Sequence, residues 1–265
     1  MYVALGDSMS IDDYAGGPGR GAASLLYGNH PDWPTFTGRD LRSFLPDLGF
    51  HNLAFDGATS EGVLTLEVPT LRSLPRPLRV ITLTVGGNDL LTYFGIRGAD
   101  AARAAAHLRS RLERILARCV EAVGCPPAGG RAGCVVVGNI YDPTDGTGSI
   151  PGSGFPPWPD SLAVLARFNE AIAEVVGEYP VQFIDIYGHF LGHGVRAQDP
   201  TFTQYRAEDP TVWYTQLIEP NARGAHEVRR LFWGAFLQSP LGARARERAA
   251  ALEASQPGGR SGKET

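Results

Sequence analysis

Short runs dense in Val, Ile, Leu and Phe punctuate the chain at Tyr2–Leu5, Phe50–Phe55, Val80–Val85, Cys134–Asn139 and Val181–Ile186. Each is bounded by Gly, Pro or Asn and has the length of a strand rather than a helix. Between them, apolar residues recur at helical spacing. Trp33–Phe44 carries Trp33, Phe36, Leu41 and Phe44, and Ala99–Val123 carries Leu108, Leu112, Ile115, Leu116 and Val120. Ser161–Val176 places Leu162, Leu165, Phe168, Ile172 and Val176 on one stripe, and Gly224–Leu237 places Val228, Leu231, Phe232 and Phe236. Strand and helix alternating in this way predict parallel strands joined by right-handed crossovers, with helices over both faces. The expected fold is α/β, a doubly wound three-layer sandwich. Three segments read as long loops: Ser10–Asn29, Tyr141–Pro159 and Gly188–Pro220. They follow the first, fourth and fifth strands, so they belong to the carboxyl-end rim where such sheets bind ligands.

The 265 residues suit one domain, expected over residues 1–254, with a Gly-, Ser- and charge-rich tail at 255–265 expected to be disordered. A net charge of −4 offers no basic surface for nucleic acid. No apolar run approaches the roughly 20 residues that span a bilayer, so no integral membrane association is expected. The chain enters a strand at once, without a basic stretch and apolar leader, which predicts a cytoplasmic protein. The three cysteines (Cys119, Cys125, Cys134) lack zinc-site spacing and are expected to be buried thiols. The glycine-rich run Gly16–Gly21 fits no phosphate-loop pattern and reads as a lid, with Arg20 a candidate for an anionic group. Asp12, Asp13, Asp142 and Asp145 lack the calcium-loop pattern and read as loop carboxylates. Phe155 and Trp158, in Pro151–Pro159, offer aromatic surface near the rim.

The chemistry-bearing residues sit at successive strand ends. The first strand runs into Gly6-Asp7-Ser8, where a serine hydroxyl would project into the crevice; the plain alternative is that Ser8 caps the next turn. The second runs into Asp56-Gly57-Ala58 and the third into Gly86-Gly87-Asn88-Asp89. Backbone N–H groups and an asparagine amide are the donors that stabilise a developing oxyanion. Ser8, Gly57 and Asn88 therefore form a candidate oxyanion hole around a nucleophilic serine. Turn glycines and a helix-capping asparagine would explain each residue singly, though not their common rim.

Met1 to about Leu91 resembles the SGNH (GDSL-type) hydrolase family, in which a GDS serine, a glycine after the second strand and GxND after the third occur in this order. Asp32-Trp33-Pro34-Thr35-Phe36 is similar to that family's entry into its first helix. The resemblance implies a flavodoxin-like sheet of about five parallel strands. It also implies hydrolysis of carboxylic esters, with acyl lipids and acylated carbohydrates among the substrates, and no metal or organic cofactor.

The family's fourth block, DxxHPN, is altered. Gln216-Leu217-Ile218-Glu219-Pro220-Asn221 puts Gln216 where the family has its aspartate and Glu219 where it has its histidine. The proton acceptor for Ser8 is then expected from His193, between two glycines on the same rim, with Glu219 orienting it or substituting for it. His189 and His226 are further candidates. A competing expectation is a binding protein that kept the fold and lost the proton-transfer pair. A nucleotide-binding flavodoxin-like protein is a third, without a phosphate loop in its favour. The sequence implies no particular oligomeric state.

Overall fold

The computed structural model describes residues 1–124 and 133–255, with side chains through residue 247. The expectations for Cys125 and for residues 256–265 of the tail fall outside the described residues. Strands β1 (Tyr2–Gly6), β2 (Phe50–Asn52), β3 (Val80–Thr84), β4 (Cys134–Gly138) and β5 (Gln182–Ile184) form one parallel sheet in the order β2-β1-β3-β4-β5. A short antiparallel ribbon, β6 (Tyr214–Thr215) with β7 (Glu219–Pro220), stands apart from it. The helices are α1 (Ala22–Tyr27), α2 (Leu41–Phe44), α3 (Ser60–Gly62), α4 (Val68–Thr70), α5 (Gly87–Thr92), α6 (Gly98–Val123), α7 (Ser161–Glu178), α8 (Ile186–Phe190), α9 (Ala222–Gln238) and α10 (Pro240–Ser255). The three-layer α/β sandwich expected from the sequence is the fold.

The central strands are apolar at nearly every position because both faces are covered. Val3 and Leu5 of β1, Ile81 and Leu83 of β3, and Val135 and Val137 of β4 pack with Leu108 and Leu112 of α6 and Phe168 and Ile172 of α7. Their alternates Tyr2, Ala4, Val80, Cys134 and Val136 pack with Leu26 of α1 and Val228, Phe232 and Phe236 of α9. This period-two division is what a pleated strand imposes.

Three expectations needed correction. The segment Gly188–Pro220 is not all loop, because it holds the end of α8 and the ribbon β6–β7. Trp33–Phe44 is one short turn (Pro34–Phe36) and α2, not one helix. Gly38 at φ +77° breaks the path, and the Asp40 carboxyl restarts it by accepting from Ser43 N–H at 2.8 Å. The segment Ser10–Asn29 is not all loop, because Ala22-Ala23 and Leu25-Leu26 bury against α9 as α1. Within the same segment the Asp12 carboxyl accepts from Gly19 and Gly21 N–H, each at 2.8 Å, and Arg20 pairs with Asp32. The run expected as a flexible lid is thus tied to its own Asp12 carboxylate. Asp145 has a comparable role: it accepts from Gly192, Gly194 and Arg196 N–H at 2.9 Å, stitching the rim loops together.

The strand order reverses between β1 and β3, each of which starts a crossover to a different side of the sheet. A crevice opens at such a switch point, beyond the carboxyl ends of the two strands.

Candidate active site

The presentation of Ser8 begins two residues earlier. Gly6 closes β1 at φ +118°, where a Cβ would stand 1.8 Å from the Thr84 carbonyl oxygen, so only glycine fits. Asp7 N–H donates to Thr84 O at 3.1 Å, and the Ser10 and Thr84 hydroxyls bond at 3.0 Å, fixing the turn against β3. The cap of the short helical turn Ser8–Ser10 is Asp7, whose carboxyl accepts from Met9 N–H at 3.3 Å. The capping alternative for Ser8 therefore goes to its neighbour. Ser8 opens the turn, so its own N–H has no intrahelical acceptor.

Phe55 N–H donates to Gly6 O at 3.1 Å, keeping the chain beyond β2 alongside the end of β1. Gly57 follows at φ +74°, and its N–H has no acceptor among the described residues. The Asn88 amide donates to Ala58 O at 3.1 Å, and Asp89 accepts from Ser60 N–H at 2.7 Å and from the Ser60 hydroxyl. The first turn of α5 thus grips the segment that carries Gly57. Ser8 and Asn88 line one pocket of about 90 Å³ together with Asp7, Tyr141, Ile218 and Glu219. Gly57 lies one residue from the Asn88 tether, outside that lining.

Glu219 reaches the pocket on the β6–β7 ribbon, in which Thr215 faces Glu219. Gln216 and Leu217 turn the ribbon at φ 43° and 75°, a pair of left-handed residues of the kind that close tight hairpins. Gln216 faces the neighbouring cavity instead of the pocket of Ser8. The Tyr141 hydroxyl donates to Ile218 O at 2.7 Å and pins the ribbon one residue before Glu219. Burial raises the Glu219 carboxyl above its usual pKa, the neighbouring Ser8 hydroxyl offsets part of the rise, and the Asp56 charge adds to it. Glu219 Oε2 is buried without a hydrogen-bond partner.

Two further carboxyls lie beneath the serine turn. Burial pushes Asp7 up to about 7 against the opposing hydrogen bonds from Thr84 and Met9, and the Glu219 charge raises it further. Burial pushes Glu67 up to about 8, although its Oε2 accepts from Gly6 N–H at 2.7 Å. Glu67 sits at the end of a widened helical turn, Val63–Glu67, where Pro69 removes a backbone donor. A carboxyl whose pKa is higher folded than unfolded stabilises the fold fully at low pH, and loses that contribution as pH rises through the folded value. Glu67→Gln, which keeps the acceptor for Gly6 N–H, should therefore flatten the stability profile. We expect urea unfolding between pH 5 and 7.5 to lose a slope of about 1.4 kcal/mol per pH unit. An unchanged slope would mean that Glu67 is ionised in the fold.

The structure does not bring His193 to Ser8. Its ring stacks on Trp213 (3.4 Å between centroids, 7° between planes) and its Nδ1 bonds Thr211 O at 3.1 Å. Burial lowers its pKa. His226 stacks on Trp33 at 3.7 Å and contacts Arg229, with its pKa lowered by burial and by that guanidinium to about 3. His189 pairs with the buried Glu227 at 2.9 Å. None of the three lines the pocket of Ser8.

Sequence reasoning missed Tyr141, Asp7 and Glu67 as parts of this site. Glu67 alone carried a signal, as a charge in the apolar run Val63-Leu64-Thr65-Leu66-Glu67-Val68.

Ser8, on the tight turn after β1, thus shares a pocket with Asn88 and Glu219 at the switch point of a sheet ordered β2-β1-β3-β4-β5. The chain belongs to the GDSL-like lipase/acylhydrolase family, whose profile matches residues 4–226. Among solved structures it is similar to a lipolytic G-D-S-L family protein from Veillonella parvula, with 16% identity, TM-score 0.57, and 90% of this chain and 98% of that chain covered. A lipase from a goat rumen metagenome matches at 20% identity and TM-score 0.57, over 88% of this chain and 96% of that one. An acetylxylan esterase from Geobacillus stearothermophilus matches at 14% identity and TM-score 0.51, over 91% and 93%. At these identities the structural likeness shows the fold alone. No curated protein matches the chain. Membership of the family makes the protein an ester hydrolase in general terms. No helix among the described residues is long and apolar enough to cross a membrane.

Proposed function

We propose that the protein cleaves carboxylic esters through an acyl-enzyme on Ser8, with Glu219 acting directly as the base where the family has histidine. The observation that carries this reading is the half-buried Glu219 carboxyl beside the Ser8 hydroxyl, with its pKa raised by burial. An ordinary carboxylate is too weak a base for serine, and burial that raises the pKa towards neutrality removes much of that deficit.

Ser8 Oγ attacks the ester carbonyl while its proton passes to Glu219. The Ser8 and Gly57 N–H groups and the second Asn88 amide proton, left over from the bond to Ala58, stabilise the oxyanion. Glu219 returns the proton to the leaving alcohol. Water then enters, gives its proton to Glu219 and attacks the acyl carbon; the acyl–Oγ bond breaks as Glu219 passes that proton to Ser8 Oγ, releasing the acid and restoring both residues. His193 has no part in the cycle.

Hydrolysis of p-nitrophenyl acetate should be measurable in the purified protein and should vanish in Ser8→Ala. A fluorophosphonate should label Ser8 in the native protein. If neither turnover nor labelling occurs, the reading is wrong and the pocket serves binding without catalysis.

A further inference from the structure

Next to the Ser8 pocket lies a second, larger cavity of about 330 Å³. The two share Leu90, Leu91, Tyr141, Pro143 and Ile218 in their linings, so they are chambers of one cleft. The larger chamber is walled by the loop that follows β4, by the start of α7, and by the 216–218 tip of the ribbon that carries Glu219. Its far end is an aromatic cluster in which Phe94 lies 5.1 Å from Trp158 and 5.8 Å from Phe155.

Several polar groups around this chamber are already committed, although the Gln216 amide and the Ser149 and Ser161 hydroxyls also line it. Asp142 accepts from Thr144 N–H and Gly146 N–H at 2.8 Å and from the Thr144 hydroxyl at 2.6 Å. Trp158 Nε1 donates to Ile96 O at 3.2 Å. A sugar placed here would set most of its hydroxyls against the apolar side chains that dominate the lining, which is costly. Hydrocarbon meets no such penalty. The mouth is apolar as well: Leu91, Phe94, Phe155, Leu162 and Leu217 all remain more than a third exposed around it. Side chains of this kind clustered at one opening mark a place where an apolar group is received.

We propose that this chamber is the acyl-chain site of the enzyme and that its substrates are esters of medium-chain fatty acids rather than acetyl esters; the inference rests on the esterase reading of Ser8. At about 30 Å³ for each methylene-sized group, a cavity of about 330 Å³ has room for a chain of roughly eleven carbons at most. The chain runs from the acyl carbon at Ser8 past Tyr141 and Ile218 towards the Phe94–Trp158 end. Leu162, at the second position of α7, and Phe155 on the aromatic wall set how much chain is accepted.

The test is a series of p-nitrophenyl esters from acetate to dodecanoate with the native protein, reading kcat/KM. Burial of each methylene should raise kcat/KM by about threefold to fourfold until the chamber is full. Octanoate should exceed acetate by at least about 100-fold. Leu162→Trp, which fills the chamber, should cut the octanoate-to-acetate ratio by about tenfold or more, and Phe155→Ser should cut it from the opposite wall. Phe155 is 67% exposed, so that variant keeps the test open if Leu162→Trp does not fold. Acetate cleaved as well as octanoate, or a ratio that neither folded variant changes, overturns the acyl site and leaves the esterase reading standing. If no ester is cleaved at any length, both fall.

Discussion

Glu219→Gln is expected to lower kcat by about 10²–10⁴, the usual contribution of a positioned proton acceptor. Glutamine fills the same space, so a large loss reports chemistry rather than packing. The native enzyme should also lose activity as pH falls through the raised pKa of Glu219, because only the ionised carboxyl accepts the serine proton. The neighbouring charge on Asp7, itself pushed up to about 7, couples to that ionisation, so the acid limb belongs to the pair rather than to one residue. In Glu219→Gln this limb should disappear from the residual activity. His193→Ala should keep the native kcat and acid limb, since its ring is taken up by Trp213 and Thr211. Steady-state kinetics from pH 5 to 9 on both variants decides the matter. A dead His193→Ala beside an active Glu219→Gln would reverse the assignment of the base.

Asn88→Ala is expected to lower kcat by about 10²–10³ with a much smaller change in KM, as when one oxyanion donor is removed. One amide proton is spent on Ala58 O at 3.1 Å, so the substitution also loosens the Gly57 segment. That tether should contribute about 1 kcal/mol to stability. Melting temperature and kcat therefore separate the two functions of the residue. A lowered melting temperature with native kcat would make Asn88 a tether only.

The departure of the fourth block was visible in Gln216 and Glu219, yet its consequence was not. With a histidine expected, the nearest glycine-flanked histidine on the same rim, His193, was the natural substitute. Stacking of His193 on Trp213, a residue 20 positions away, is a tertiary contact with no periodic signature. The positive φ values of Gln216 and Leu217 belong to a hairpin that glycine or asparagine would have announced and these residues do not. That hairpin carries Glu219 to Ser8. The failure of one continuous helix at 33–44 has a similar origin, since Gly38 and the Asp40 cap outweigh a weak apolar stripe.

The amino-acid sequence by itself determined the α/β/α sandwich, because strands covered on both faces must be apolar throughout and helices covered on one face must be striped. It also determined the GDS, Gly57 and GxND stations, since each needs a particular residue at a strand end. Which side chain meets the Ser8 hydroxyl, how far burial lifts the carboxyls of Asp7, Glu67 and Glu219, and the apolar chamber beyond Tyr141 were decided only by the tertiary structure. Proximity and desolvation arise when segments far apart in the chain converge, and no local pattern encodes them.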